Sequence, residues 1–476
     1  MRSAAVRRAD ESFSAAFHAI RRRSRDVAWT SQKLPCRPLW FDRDGPRVSA
    51  AAADSGARPC FLIPRSSSTD HHHRSGRSGP LVFVDNMRLL LPTPTLLYHW
   101  ALTAATCCCL WDLARSFQQV CYLVAPANSS DALPIASVDV GLCSHIIMGF
   151  GTVEEDGSIN LDPLGGPTAL AALAALRKRK PDLKLMISVG GGGGDANFKT
   201  MVSAADSRWR FIASAMSALR AARLDGLDLD WEFPKLLDAS RFARLLTAAF
   251  VEFKKDAHWP LLLSVAVPAQ SLLVIGAYDV QTMARSVDFV NLMTYDLNIY
   301  NWYTPWVHHN SPLLSRASDP PYFNTLNVES SAKLWVTLGM PKSKIMVGIP
   351  TYGLSWVLRD PNRWQVGSLA SGRNELGGGF VSFAQVCSLL HDGAHREYDS
   401  EAMVPYLHKG KLWISYDDQQ SVGLKASWTA RNNYGGTMTF SLNSDDWAGT
   451  CGYGPFPLQR TIARSGSGGP LSMVTP

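Results

Sequence analysis

The 476-residue chain is predicted to fold as a (β/α)8 (TIM) barrel of the α/β class, and three observations support that prediction. Short apolar runs of strand length alternate with longer stretches that carry apolar residues at helical spacing. Eight such strand–helix units follow one another over about 345 residues, as expected of a barrel with insertions. Hydrophobic residues make up 46% and charged residues 18% of the chain, which excludes general disorder.

The predicted elements follow in chain order. The predicted strands are residues 120–124, 145–150, 184–189, 227–233, 261–267, 289–295, 345–350 and 437–442. The clearest amphipathic helices between them are 168–178, 208–223 and 240–255. The interval 351–436 is too long for one helix, so a small extra module is predicted at about 355–413. In such a barrel, catalytic groups lie at the C-terminal ends of the strands.

The charge of the chain is concentrated in its first segment. Residues 1–86 hold 15 Lys and Arg against 8 Asp and Glu, so the whole net charge of +7 lies there. The rest of the chain is balanced, and we expect it not to bind nucleic acid. Residues 1–86 are predicted to be a disordered Arg-rich leader whose presence in the mature protein is open, and 464–476 a flexible tail.

A second start signal follows the leader. Met87 and one Arg precede residues 89–111, which carry no charge and include small residues near Ala104 and Ala105, in the manner of a secretory signal peptide. Retention of 89–111 as a membrane anchor is the alternative, and Pro92 and Pro94 disfavour it. We therefore predict that 87–115 is a signal peptide, that the protein is secreted and extracellular, and that Asn128 in Asn128-Ser129-Ser130 is glycosylated.

Four cysteines fall in the predicted folded part, Cys121, Cys143, Cys387 and Cys451. An even number in a secreted domain indicates two disulfides. None of them forms a C-x-x-C pair with metal-binding spacing, so no metal site is expected.

The fourth predicted strand carries a row of carboxyl groups. Asp228, Asp230 and Glu232 occupy alternate positions, so they project from one face of the strand while apolar residues project from the other. Like charges close together raise the pKa of the outermost carboxyl. We therefore expect Glu232 to remain protonated near neutral pH and to act as a general acid.

The motif Asp225-x-x-Asp228-x-Asp230-x-Glu232 resembles the D-x-x-D-x-D-x-E signature of glycoside hydrolase family 18, the chitinases and chitinase-like lectins. Three further segments resemble family motifs in the same order, Ser188-Val189-Gly190-Gly191, Met293-Thr294-Tyr295-Asp296 and Gly435-Gly436-Thr437-Met438. The resemblance covers roughly residues 119–463, which are therefore predicted to be the catalytic barrel.

The resemblance implies hydrolysis of β-1,4-linked N-acetylglucosamine in chitin or chito-oligosaccharides, with retention of configuration. The substrate's own N-acetyl oxygen would attack the anomeric carbon. Glu232 would protonate the glycosidic oxygen, Asp230 and Tyr295 would hold the acetamido group, and Asp228 would modulate the charge of Asp230. The sugar-binding residues would be Tyr122, Phe150, Gly191, Met293, Asp296, Trp302, Tyr352, Met438 and Phe440. A monomer without metal or organic cofactor is expected.

The resemblance also pairs Cys121 with Cys143 and Cys387 with Cys451. It implies that the insertion between predicted strands seven and eight is an α+β module that forms one wall of the cleft. Three positions depart from the family pattern: Gly192 and Phe440 stand where Trp is common, and Leu354 stands where Arg is common. The departures leave two alternatives open, a chitinase-like lectin without turnover and a chitobiase-type N-acetylglucosaminidase. Nucleic-acid binding is a third, and it would require the leader in the mature protein.

Overall fold

The structure is a computed structural model that describes residues 117–125, 133–194, 196–374 and 376–468. The Arg-rich leader, the segment 87–115 and Asn128 lie outside the described residues, so the predictions for them remain predictions. In chain order the strands are β1 (Gln118–Val124), β2 (His145–Val153), β3 (Ile159–Asn160), β4 (Lys184–Gly190), β5 (Gly226–Asp230), β6 (Leu262–Pro268), β7 (Phe289–Met293), β8 (Ile345–Pro350), β9 (Tyr352–Leu358), β10 (Ala370–Arg373), β11 (Phe380–Ser382), β12 (His395–Asp399), β13 (Val404–Lys409), β14 (Leu412–Ser415) and β15 (Gly436–Phe440).

Eight of these strands form the predicted closed barrel. Strands β1, β2, β4, β5, β6, β7, β8 and β15 pair in parallel, and β1 closes the barrel by pairing with both β15 and β2. The short β3 is antiparallel to β2. Strand β5 ends at Asp230 and β7 at Met293, two or three residues before their predicted ends. Glu232 and Tyr295 therefore lie in the loops that leave the C-terminal ends of these strands.

The helices are α1 (Gly166–Ala175), α2 (Phe198–Ser203), α3 (Ala205–Ala221), α4 (Ala239–Phe253), α5 (Ser271–Val274), α6 (Val280–Ser286), α7 (Val328–Thr337), α8 (Phe383–His391), α9 (Gln419–Arg431) and α10 (Pro457–Gly466). Helix α4 shows why they form, because Phe242, Leu245, Leu246, Ala249 and Phe253 make one apolar stripe that is buried against the barrel. The predicted tail starts too early, since residues 464–466 complete α10 and Ser465 is buried.

A second, antiparallel sheet lies between β8 and β15. Its strand order is β10, β9, β14, β13, β12, and β11 pairs with β9 beside β10. This confirms the predicted α+β insertion, although the sheet starts directly after β8 because β9 follows it with only Thr351 between them.

Both predicted disulfides are present. Cys121–Cys143 joins β1 to the residues before β2, and Cys387–Cys451 joins α8 of the insertion to the segment after β15. Within the described ranges, no helix is long and apolar enough to cross a membrane.

Candidate active site

The first carboxyl of the motif lies away from the other three. Asp225 precedes β5 at the N-terminal end of the barrel, where its side chain pairs with Arg177 at 2.5 Å. It also accepts a hydrogen bond from the backbone N–H of Leu185 at 2.7 Å. Asp225 therefore joins the base of β5 to β4 and to the turn that follows α1, and it takes no part in a site at the C-terminal end.

Asp228 is fully buried at the centre of the barrel, and four side chains donate hydrogen bonds to it. Oδ2 accepts from Tyr122 at 2.6 Å and Ser188 at 2.7 Å. Oδ1 accepts from Ser264 at 2.6 Å and Asn291 at 3.1 Å. Burial raises the pKa of Asp228, and these donors partly offset that increase because they stabilise the charged form.

Asp230 is 3% exposed and lies two residues further along β5, closer to the mouth of the barrel. Among the described residues, its Oδ1 has no hydrogen-bond partner. Burial raises its pKa well above the ordinary value, and the charges of Glu232 and Asp228 raise it further. A buried carboxyl with an unpaired oxygen is costly in a finished core and is typical of a place that a ligand completes.

The two glycines after Val189 fit closely against Asp230. Gly190 has a φ of 114°, and any Cβ there would collide with the Asp230 carbonyl. Gly191, with a φ of 75°, donates its N–H to the same carbonyl at 2.8 Å. Both positions require glycine because the backbone is left-handed and the space is filled. The motif resemblance at Ser188–Gly191 thus has a structural reason, which is that it fixes the backbone of Asp230.

Glu232 lies two residues beyond the end of β5 and is partly exposed. Gly192 faces it across the mouth of the barrel, since a Cβ built on Gly192 would lie 3.9 Å from Glu232 Oε1. The outermost carboxyl of the motif is therefore the one that solvent or a ligand can reach, and Gly192 leaves open space beside it.

The end of β7 brings two more predicted residues to the mouth. Tyr295 is 7% exposed, and burial together with the charge of Asp230 raises the pKa of its hydroxyl well above the usual value. Asp296 has a φ of 52° and donates its backbone N–H to Asn310 Oδ1 at 2.8 Å. Its Oδ1 accepts a hydrogen bond from Tyr352 at 2.6 Å.

An aromatic floor lies between these side chains, with Phe440 at its centre. The ring of Phe440 lies 5.6 Å from Tyr122, 6.3 Å from Phe150, 5.7 Å from Tyr295 and 6.3 Å from Tyr352, measured between ring centroids. Phe440 and Phe150 are partly exposed, so the floor has an accessible apolar surface. Phe440, at the position where Trp is common, thus packs against all four rings.

Two predicted sugar-binding residues lie below that surface. Met438 is fully buried, with its sulfur 3.8 Å from the Tyr295 hydroxyl, so it supports Tyr295 and does not contact the open cleft. Tyr122 is 2% exposed and its hydroxyl is bound to Asp228. Both residues support neighbouring side chains of the site, and their predicted part in sugar binding remains a prediction.

The other predicted aromatic and apolar positions differ in exposure. Trp302 is 82% exposed in the loop after β7 and contacts Tyr303 edge to face. Met293 is partly buried at the end of β7, against the inner apolar cluster of the barrel. Among the described residues, no group of three or more His, Cys, Asp or Glu side chains could hold a metal ion.

The sequence reasoning missed Ser264 and Asn291 as partners of Asp228. Both interrupt otherwise apolar strands, and Ser188 does the same on β4. A polar residue in the middle of a barrel strand is a signal that could have revealed them, because a buried polar group needs a partner.

The barrel and its row of three carboxyls, one outer and two inner, are the features expected of a glycoside hydrolase fold of the (β/α)8 type. The chain matches Glycosyl hydrolases family 18 over residues 118–445 and belongs to that family. It is 35% identical to chitotriosidase-1 of Mus musculus over 341 residues, which cover 68% of this chain and 72% of that protein.

Two solved structures extend the comparison. An immunomodulatory active chitinase from Trichuris suis is 32% identical, with a TM-score of 0.69, over 73% of this chain and 99% of that one. Human YKL-39, described as a pseudo-chitinase with retained chitooligosaccharide binding, is 31% identical with a TM-score of 0.70, over 74% and 99% of the two chains. The family thus includes relatives with and without catalysis.

Proposed function

We propose that this chain is a secreted chitinase that hydrolyses β-1,4-linked N-acetylglucosamine with retention of configuration. The observation that carries the proposal is Asp230, a buried carboxyl whose Oδ1 has no partner among the described residues. It lies between the hydrogen-bonded Asp228 and the partly exposed Glu232. This order provides a fixed inner charge, a group that awaits a ligand, and an accessible acid. The two disulfides support an extracellular location.

The proposed roles of the side chains are those that the family resemblance implies, and these positions support them. Glu232 protonates the glycosidic oxygen as the acetamido oxygen of the substrate attacks the anomeric carbon. Asp230 orients the acetamido N–H and stabilises the positive charge of the cyclic intermediate. Tyr295 donates a hydrogen bond to the acetamido oxygen and so holds it in line. Glu232, now a carboxylate, activates the water that opens the intermediate, and the β-anomer is released.

The alternative is a chitinase-like lectin, and a specific observation favours it. Gly192 leaves the mouth beside Glu232 without an aromatic side chain, and Leu354 is a buried apolar residue where the family commonly has Arg. YKL-39 shows that a relative of this fold can bind chito-oligosaccharides as a pseudo-chitinase. The presence of all three acids of the site, Asp228, Asp230 and Glu232, favours the enzyme over the lectin.

The test is incubation of the purified protein with each N-acetylglucosamine oligomer from dimer to hexamer, with products identified by mass spectrometry. The chitinase proposal predicts cleavage of the longer oligomers to dimers and trimers. Cleavage of the dimer in preference to longer oligomers would support the chitobiase-type alternative. Binding of the hexamer without any product would establish the lectin.

A further inference from the structure

One wall of the cleft carries an aromatic and a cationic side chain that the catalytic scheme does not use. Phe380 on β11 is 48% exposed, and Arg373 at the end of β10 is also exposed. The guanidinium carbon of Arg373 lies 5.2 Å from the centroid of the Phe380 ring. A cation over an aromatic face at this distance is a favourable pair, so the two side chains form one surface.

The strand register places this surface beside the catalytic residues. Phe380 lies opposite Leu354 and Arg373 lies opposite Trp356 in the antiparallel pairing with β9. Directly opposed residues share a face of the sheet, and so do residues two apart on one strand. Tyr352, which is two residues before Leu354, therefore projects on the same face as Phe380 and Arg373.

Contacts connect the surface to Asp296 step by step. The Tyr352 hydroxyl donates to Asp296 Oδ1 at 2.6 Å. The Tyr352 ring lies 5.5 Å from that of Phe380, and Phe380 in turn contacts Arg373. Burial raises the pKa of Asp296, and the hydrogen bond from Tyr352 and then the positive charge of Arg373 partly offset that increase.

The backbone holds Arg373 in place. Its Nη2 donates to the Gly378 carbonyl at 3.3 Å. The guanidinium also lies against Gly379, whose φ is 93° and where any Cβ would overlap it. A guanidinium fixed against a glycine turn loses less conformational entropy when a ligand binds, which favours recognition.

We propose that Arg373 and Phe380 form a sugar-binding surface on the Asp296 side of the cleft, and that Arg373 supplies the positive charge that Leu354 lacks. The ligand is an N-acetylglucosamine unit of the substrate, so this inference rests on the proposed function. The Phe380 ring packs against the C–H face of the sugar, and Arg373 donates hydrogen bonds to its hydroxyl or acetamido oxygens. Leu354 is buried and lies directly opposite Phe380 in the strand pairing.

The experiment measures chitohexaose binding by titration calorimetry in a Glu232→Gln background, so that turnover does not interfere. Added Arg373→Ala is expected to weaken binding about 5- to 20-fold, and Phe380→Ala about 3- to 10-fold. Arg373→Lys keeps the positive charge but not the planar guanidinium. Its affinity for chitohexaose is expected to lie between that of Arg373→Ala and that of the protein with Arg373 intact. Arg363→Ala is the matched control, because that side chain is 82% exposed on the same insertion and should not change the affinity.

The outcomes separate this inference from the proposed function. Unchanged affinity in both Arg373→Ala and Phe380→Ala overturns the sugar-binding surface, even when the protein with Glu232 intact cleaves the hexamer. Weakened binding by these variants supports the surface, even when the protein with Glu232 intact shows no turnover and is a lectin. A protein that neither binds nor cleaves the hexamer contradicts both.

Discussion

The hydroxyl of Tyr122 on β1 donates a hydrogen bond of 2.6 Å to Asp228 on β5, across the interior of the barrel. With Ser188, Ser264 and Asn291, it completes a set of donors from four other strands around one carboxyl. The first inner acid is therefore held in one position by the barrel itself. Asp230 and Glu232 follow Asp228 at alternate positions in the sequence, so their placement depends on the position of Asp228.

Tyr122→Phe is expected to lower kcat about tenfold while KM changes less than twofold. The loss of a hydrogen bond to a charged group costs about 1.5–3 kcal/mol, and the three remaining donors recover part of it. Steady-state kinetics on chitohexaose checks this split between kcat and KM. Tyr434→Phe is the control, because Tyr434 is also buried but precedes β15 at the opposite end of the barrel. An equal loss of kcat in both variants would refute the supporting role.

Glu232→Gln is expected to reduce kcat by about 10²–10⁴-fold with oligomer affinity largely retained, because the amide keeps the shape but cannot protonate the leaving oxygen. Kinetics and calorimetry with the same oligomer measure the two effects separately. Glu329→Gln is the control. It removes a carboxylate that pairs with Lys333 on α7 and should leave kcat and oligomer affinity unchanged. If Glu232→Gln kept more than a tenth of the activity, another residue would be the acid.

Asp230→Asn is expected to abolish most activity and yet to stabilise the fold at neutral pH. Because burial and neighbouring charges raise the pKa of Asp230, the folded protein holds its proton more tightly than the unfolded chain. The stabilising contribution of this carboxyl is complete below about pH 4 and is lost as the pH rises through the folded-state pKa. The substitution should therefore raise the apparent Tm by about 1–4 °C at pH 7 and much less at pH 4.

Asp225→Asn provides the contrast on the same segment of chain. Its carboxylate pairs with Arg177 and accepts the Leu185 N–H, so the same chemical change should lower the apparent Tm at pH 7. Differential scanning calorimetry of both variants at pH 7 and pH 4 checks whether their changes in apparent Tm at pH 7 have opposite signs. A lower Tm for Asp230→Asn at pH 7 would show that Asp230 is a structural group.

Gly192→Trp is expected to lower KM for long oligomers about three- to tenfold with a modest change in kcat, because an aromatic face beside Glu232 adds stacking of order 1 kcal/mol. The site accepts a side chain, since the nearest atom to a Cβ at position 192 is Glu232 Oε1 at 3.9 Å. Gly192→Ala adds only the Cβ and should leave KM unchanged. An unchanged KM in a correctly folded Gly192→Trp protein would mean that other aromatics already supply the stacking.

The sequence predicted the barrel and the acidic row because both depend on local periodicity. The alternation of two along the predicted strand placed Asp228, Asp230 and Glu232 on one face. The structure keeps Asp228 and Asp230 on β5, whereas Glu232 lies in the loop just beyond it. The burial of Met438 and the donors around Asp228 could not be predicted in the same way. They depend on how the strands tilt and stagger around the barrel, which sets the depth of each inward residue.

The contribution of the inserted sheet was the least predictable part. Arg373 and Phe380 reach the cleft only because β10 and β11 both pair with β9, and this pairing is not local in sequence. The loss of Arg at Leu354 was visible in the sequence. The proposed replacement, Arg373 on β10, could not be predicted without the register of β10 against β9.

The configuration of the first product tests the central claim most directly. Proton NMR of chitohexaose, recorded during the first minutes of digestion by the unmodified protein, distinguishes the two anomers before mutarotation mixes them. Substrate-assisted attack by the acetamido group, with Asp230 as its anchor and Glu232 as the acid, predicts the β-anomer as the initial product. An initial α-anomer would contradict the mechanism, because inversion cannot pass through a cyclic intermediate formed by the substrate itself.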